Sequence, residues 1–176
     1  MDHYNALMDG LLNPRIANGF GALACAGLMG FALFAQYGLQ LEPCPLCILQ
    51  RIAVTSLGIV FFIASLHGPG WVGRAVYGLL AVVAAGAGAG VAGRQVWLQG
   101  LPPDKVPACG PGLDFMLDTF GLGEVLEMVL SGSGECAEVS WSFLGLSMPM
   151  WELVWCVGLG LWALWANWRP VRDAAV

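Results

Sequence analysis

Charged residues are scarce in this chain of 176 residues: they make up 11%, whereas hydrophobic residues make up 58%. Soluble domains carry roughly a quarter charged residues, so the composition excludes an ordinary soluble protein. Lysine and arginine together number only seven, they form no basic patch, and the formal net charge is -5. Nucleic acid is excluded as a partner, because binding it depends on neutralising phosphates with basic side chains. The expected environment is a lipid bilayer.

Four charge-poor apolar runs are long enough to cross a bilayer, which takes about 20 residues per helix. They predict an all-α membrane protein, a four-helix bundle that forms one domain. We assign the spans to about 16–38, 48–67, 74–94 and 150–168, with short loops at about 39–47 and 68–73, a long loop at about 95–149 and a tail at 169–176. Glu152 is expected in the first turn of the fourth span, near headgroup depth and facing the positive end of the helix dipole.

The distribution of basic residues near the span ends predicts the orientation of the bundle. One side carries Arg15, Arg74, Arg169 and Arg172. The other side has Arg94 and Lys105 after the third span, and Arg51 at the mouth of the second. Since basic residues concentrate in cytoplasmic segments, both termini are expected in the cytoplasm. The two loops that contain cysteines then face outward in this multi-pass arrangement.

The long loop combines a proline-rich start with two amphipathic segments. Its prolines at 102, 103 and 107 exclude regular helix there. Apolar side chains then recur at helical spacing: Leu113, Met116, Leu117 and Phe120, followed by Val125, Leu126, Val129 and Leu130. This pattern predicts two short amphipathic helices. They lie either on the membrane surface, which we favour, or packed over the bundle.

Small residues and isolated cysteines inside the spans are interpreted as packing features. Gly86 and Gly90 in the third span have the spacing that lets helix backbones approach closely. Cys25 and Cys156 lie within the first and fourth spans, where an isolated thiol usually behaves as a small buried hydrophobe. No chemical role is predicted for these residues.

The remaining four cysteines lie in the outward loops, where an oxidising compartment favours pairing. They are Cys44, Cys47, Cys109 and Cys136. Two structural disulfides are one interpretation. A zinc site of four cysteines is another, although the second pair lacks the tight spacing of most such sites. Redox chemistry is the third.

The surroundings of Cys47 favour the redox interpretation. Cys44 and Cys47 form a Cys-X-X-Cys sequence, and Arg51 follows four residues later. If the second span begins near Cys47, its thiol lies at the positive end of the helix and Arg51 lies on the same face, one turn deeper. Both features favour the thiolate, which attacks disulfides or donates to an electrophile. Arg51 is then either a snorkelling anchor or a hydrogen-bond donor to a ligand carbonyl.

Several motifs together resemble the DsbB family, bacterial inner-membrane thiol oxidases that re-oxidise the periplasmic dithiol protein DsbA using quinone. They are Pro-Cys-X-X-Cys-Ile-X-X-Arg at 43–51, Gln95-Val96-Trp97-Leu98-Gln99, Cys109, Cys136-Ala137-Glu138, and Trp141-X-Phe143-Leu144-Gly145-Leu146-X-Met148-Pro149-X-Trp151. The resemblance extends over nearly the whole chain. It implies an oxidoreductase that generates disulfides.

The resemblance also implies a route for the electrons. Cys109 would form a mixed disulfide with a DsbA-like periplasmic oxidoreductase, and Cys136 would be released to attack Cys44. Cys47 would then be the thiolate that contacts the quinone. Each transfer would be a thiolate attack through a mixed disulfide. The alternatives are a structural or partner-binding membrane protein with stabilising disulfides, and a relative that oxidises another thiol.

The cofactor implied by the resemblance is ubiquinone, with menaquinone as the second possibility, and no metal is implied. Arg51 would lie near a quinone carbonyl, and Gln95 and Gln99 would help to form the quinone site. Family members carry histidine where Gln95 stands here. Because glutamine donates a hydrogen bond but holds no proton near neutral pH, proton delivery from this position is in doubt.

Overall fold

The computed structural model describes residues 13–108, 110 and 113–168, and four long helices dominate it. They are α1 (Pro14–Tyr37), α2 (Pro45–His67), α3 (Trp71–Gln99) and α7 (Met148–Trp168). All four are long and apolar enough to cross a membrane. The predicted all-α fold with four spans is confirmed. Cys109, Arg169 and Arg172 lie outside the described residues.

Local sequence explains where the first two spans begin. Asn13 caps α1 by accepting a hydrogen bond from the backbone N–H of Arg15, and Pro14 occupies the first helical position. Cys44 caps α2 in the same way, followed by Pro45. Proline suits this position because its missing N–H would have no helical partner there. The α2 start therefore places a cysteine sulfur directly over the helix N-terminus.

The long loop between α3 and α7 contains short elements only. They are a 3-10 turn at Pro103–Lys105, α4 (Leu113–Thr119), α5 (Leu122–Ser131), α6 (Gly134–Ala137) and an antiparallel hairpin of β1 (Ser142–Phe143) and β2 (Leu146–Ser147). Leu144 and Gly145 connect the two strands with φ of 52° and 79°. Positive φ at both central residues is typical of the tight turns that match the twist of paired strands. The hairpin was not predicted from the sequence.

A line of small residues on α3 forms the closest contact with α7. The buried members are Ala81, Ala85, Gly88 and Ala92. A Cβ added at Gly88 would lie 2.8 Å from the sulfur of Cys156 on α7. By contrast, Gly86 and Gly90 are exposed and a Cβ at either would meet nothing within 4 Å. The prediction that these two glycines form the packing face is therefore wrong, because the buried face is offset by two residues.

The two amphipathic helices of the loop pack over the end of the bundle, which we call the loop end. Met116 from α4 and Val125 and Val129 from α5 join Leu46 of α2 and Leu98 of α3 in one buried cluster. The preference for the membrane surface was therefore wrong for the buried face of these helices. Other apolar side chains of this segment remain exposed: Phe115, Phe120, Leu122, Leu126 and Leu130.

The opposite end of the bundle is held by buried polar side chains. Asn18 of α1 and Asn167 of α7 donate to each other through their amide groups, and both distances are 3.2 Å. The indole N–H of Trp162 also donates to the backbone carbonyl of Ala17 at 2.9 Å. These hydrogen bonds join the first and last spans.

Candidate active site

Cys44 and Cys47 lie side by side at the start of α2. Their sulfur atoms are 2.7 Å apart, and the sulfur of Cys44 accepts a hydrogen bond from the backbone N–H of Cys47 at 3.3 Å. Both cysteines are free thiols in this structure. A disulfide requires sulfur atoms about 2.05 Å apart, so only a small movement separates this pair from a covalent bond. The arrangement is that of a dithiol prepared for oxidation.

The side chain of Gln95 connects α3 to both sulfur atoms. Its amide nitrogen lies 3.4 Å from the sulfur of Cys44 and 3.5 Å from that of Cys47. Its amide oxygen accepts a hydrogen bond of 2.7 Å from Gln50, which holds the amide in this orientation. Both glutamines are buried. Gln50 was not identified from the sequence, although its position one turn before Val54 on the inward face of α2 would have indicated it.

Cys136 lies against the Cys44 thiol, although 92 residues separate them in sequence. It belongs to α6, is completely buried, and shares a cluster with Cys44 and Leu46. Its sulfur also lies 3.6 Å from the hydroxyl of Ser133. Cys44 therefore contacts two other cysteines, one on its own helix and one on the long loop.

These contacts shift the pKa values of Cys136 and Cys44 in opposite directions. The pKa of Cys136 is lowered to about 5, mainly by its hydrogen bond with Cys44 and further by backbone N–H groups. The pKa of Cys44 is raised, first by its hydrogen bonds with Cys136 and Cys47 and then by burial. Cys136 is thus the thiolate and Cys44 the thiol that faces it. Thiolate is the nucleophilic form of cysteine.

Arg51 lies one turn below Cys47, as predicted, but its guanidinium bonds to α1. It donates to the side-chain oxygen of Gln36 and to the backbone carbonyl of Ala32. Among the described residues, the side-chain hydrogen bonds to the sulfur of Cys47 come from Cys44 and Gln95. The expected direct effect of Arg51 on this thiolate is therefore not observed. Arginine has five N–H donors. The two hydrogen bonds of Arg51 to α1 therefore leave other N–H groups that can donate to a ligand.

A cavity of about 570 Å³ lies beside the cysteine pair, between the four spans. Most of its wall is apolar, and a few polar side chains converge on it: Cys47, Gln50, Arg51, Gln95 and Gln99. A mostly apolar cavity with a few placed polar groups is the usual form of a small-molecule site. The structure therefore brings the predicted Arg51, Gln95 and Gln99 together around one space, next to Cys47.

Aromatic side chains line this cavity near the loop end. Trp141 packs edge-on against Phe31 of α1 at 5.4 Å and stacks on Phe143 at 6.1 Å. The indole N–H of Trp151 donates to the backbone carbonyl of Phe143 at 3.1 Å. Gln99 accepts a bond of 2.7 Å from Ser147 in the same hairpin. The small hairpin is thus the element that holds these rings over the cavity.

Glu152 lies in the wall of this cavity. It is half-buried, and α7 already begins at Met148, so that Glu152 falls just beyond the first turn. The thiol of Cys156 lies 3.9 Å from its carboxylate oxygen. Cys156 and Cys25 are themselves buried in the core of the spans.

The comparisons with known proteins agree over most of the chain. A family model described as Disulfide bond formation protein DsbB matches residues 14–166. The Disulfide bond formation protein B of Xanthomonas axonopodis pv. citri is 52% identical over 155 residues, which cover 88% of this chain and 90% of the relative. The protein of the same name from Chromobacterium violaceum is 57% identical over 151 residues, covering 86% of this chain and 91% of the relative. This chain therefore belongs to the DsbB family of disulfide bond formation proteins.

Proposed function

We propose that this protein re-oxidises a DsbA-like periplasmic dithiol protein and passes the electrons through two cysteine pairs to membrane quinone. The observation that carries the proposal is the contact of Cys44 with both Cys47 and Cys136 beside the cavity. A merely structural disulfide would have no use for a third cysteine in contact with it or for a ligand cavity next to it. The proposed location is the inner membrane, with the cysteine loops facing the periplasm.

The exchange steps follow from the positions of the thiols. A thiolate of the partner attacks Cys109 of a Cys109–Cys136 disulfide, forms a mixed disulfide and releases Cys136 as a thiolate. The second thiol of the partner then displaces Cys109 and leaves the partner oxidised. Cys136 attacks Cys44, forms a Cys44–Cys136 disulfide and releases Cys47 as a thiolate. Cys109 then attacks Cys136, re-forms the Cys109–Cys136 disulfide and releases Cys44, which takes up a proton beside the Cys47 thiolate. Each of these steps breaks one disulfide and forms another.

The residues around the cavity fit a quinone. A bound quinone, ubiquinone or menaquinone, would supply a two-electron acceptor soluble in lipid. The apolar wall suits its ring, while Arg51 and Gln99 provide donors for carbonyl oxygens. Gln95 donates to the sulfurs rather than into open space. Its role is then to stabilise negative charge on Cys44 and Cys47 during exchange, which needs no titratable group.

The proposal is tested by following quinone reduction in detergent with a reduced DsbA-like protein as the electron donor. Cys47→Ser removes the thiolate beside the cavity, and Cys109→Ser removes the thiol that meets the partner. Both variants are expected to lose turnover. Cys25→Ala and Cys156→Ala are matched controls within the spans, and they should keep most of the wild-type rate.

Two results would contradict the proposed function. Near-normal turnover in Cys47→Ser would remove the cysteine pair from the reaction. Wild-type protein that reduces neither ubiquinone nor menaquinone would leave the cysteines as structural links or as the site of another donor.

A further inference from the structure

Glu152 is a carboxyl group in the cavity wall that the exchange steps do not use. It shares one face of α7 with Met148 and Trp155, and this face lines the cavity. A carboxyl inside a membrane span is expensive, and such residues usually mark functional sites. Packing alone therefore does not explain why a carboxyl group lies in this cavity wall.

In the part of the chain that the structure describes, no basic side chain forms a contact ion pair with Glu152. Cys156 on the same helix contributes a thiol, a weak hydrogen-bond donor, at 3.9 Å. Cys25 approaches from α1, and Cys47 and Arg51 line the same cavity from α2. Arg51 bonds to Gln36 and Ala32 on α1. Among the described residues, exposed Glu42 and Glu138 are the other carboxylates of the cavity wall.

The proposed reaction needs a proton that the cysteines do not supply. When Cys44 as a thiol and Cys47 as a thiolate form their disulfide, they give up two electrons and one proton. Conversion of a quinone to a quinol takes up two electrons and two protons. The amides of Gln95 and Gln99 hold no transferable proton near neutral pH, and arginine stays protonated. A carboxyl group in the same cavity meets the requirement.

We propose that Glu152 delivers this second proton to the quinone bound in the cavity, an inference that rests on the proposed function. The balance is then complete: one proton leaves Cys44, one leaves the Glu152 carboxylic acid, and the electron pair comes from the new disulfide. A proton from bulk solvent returns to the Glu152 carboxylate. Glu42 and Glu138, which are exposed to solvent, line the same cavity.

Glu152→Gln tests the proposal because it keeps the size and the hydrogen-bond acceptor but removes the proton. We expect quinone reduction at saturating acceptor to fall about 100-fold, the lower range for loss of a general acid. Disulfide exchange with the reduced partner, measured in quinone-free protein, should stay within about twofold of wild type. Glu127→Gln, an exposed carboxyl on α5, should leave both rates unchanged.

A second measurement detects the carboxyl group of Glu152 directly and does not depend on turnover. In infrared difference spectra of the oxidised protein, adding quinone should shift a carboxylic-acid carbonyl band that is missing in Glu152→Gln. Cys156→Ala removes the thiol that bonds to Glu152, and it should keep both the band and the rate. A carboxylic-acid band whose frequency does not change when quinone is added would overturn the proposal.

The kinetic outcomes separate this proposal from the proposed function. Unchanged quinone reduction in Glu152→Gln would overturn the proton-donor role while leaving the electron route intact. Loss of quinone-free exchange in that variant would also overturn it, because the exchange steps need no proton from Glu152. Failure of wild-type protein to reduce quinone would instead overturn the function on which the inference rests.

Discussion

Cys136 is completely buried and yet is the more acidic partner of its thiol pair. In the reduced protein we expect this pair to lose its first proton at about pH 5 instead of near the ordinary value of 9.0. Above that pH the thiolate is the main form of Cys136 in the reduced protein, and below it the thiol returns. Carbon-13 NMR of labelled cysteine Cβ atoms measures the titration directly.

Two variants provide the controls for this titration. Cys136→Ala identifies the resonance by removing it. Cys44→Ala removes the main hydrogen-bond partner, and it should move the midpoint upward more than Ser133→Ala does, since the Cys44 contact is the larger cause. A wild-type midpoint near 9.0 would contradict the geometry of the sulfur cluster.

Some of the site could be predicted residue by residue, and some could not. The pairing of Cys44 with Cys47 follows from their spacing across a helix start. The contact of Gln95 with both sulfurs, by contrast, joins helices whose register no local pattern determines. The same is true of Arg51, whose partners on α1 are reached only after α1 and α2 have packed together.

At the scale of helices, the α3–α7 contact depends on the missing side chain of Gly88. Gly88→Ala should destabilise the folded protein by about 1 to 3 kcal/mol, the usual cost of overpacking. The reason is that the new methyl would lie 2.8 Å from the Cys156 sulfur and 3.3 Å from the Cβ of Ala53. The free energy of unfolding in detergent, obtained by denaturant titration, measures the effect.

Gly86→Ala is the matched control on the same helix. Its added Cβ meets no neighbour within 4 Å, so the better helix propensity of alanine should stabilise the protein by about 0.5 to 1 kcal/mol. Combining Gly88→Ala with Cys156→Ala should restore part of the lost stability. Equal effects at positions 86 and 88 would argue against the described packing face.

The four spans could be predicted because a helix that crosses lipid needs a long apolar stretch. Such a stretch is recognised from the types of residues alone. It did not determine where α4 and α5 lie. An amphipathic helix has the same pattern whether its apolar face meets lipid or protein, so Val125 and Val129 gave no information about their partner. The hairpin was missed because strands of two residues carry no alternation to detect.

For the whole molecule, the amide pair of Asn18 and Asn167 links the two spans that are farthest apart in sequence. Alanine at either position leaves the other amide without this partner in a buried place, and each should cost about 1 to 3 kcal/mol of stability. In a double-mutant cycle the coupling should be about 0.6 to 1.7 kcal/mol, as for other hydrogen bonds between membrane helices. Strictly additive effects would show that the pair does not act as a link.

The position of Cys44 between two cysteines has a consequence for the stability of the working protein. A sulfur atom holds one disulfide at a time, so Cys44 can be bonded to Cys47 or to Cys136 but never to both. The first bond closes a ring of a few residues, while the second closes a ring that contains two whole spans and most of the long loop. Larger rings restrict the unfolded chain more strongly. Resistance to unfolding is therefore expected to rise and fall once in every catalytic cycle.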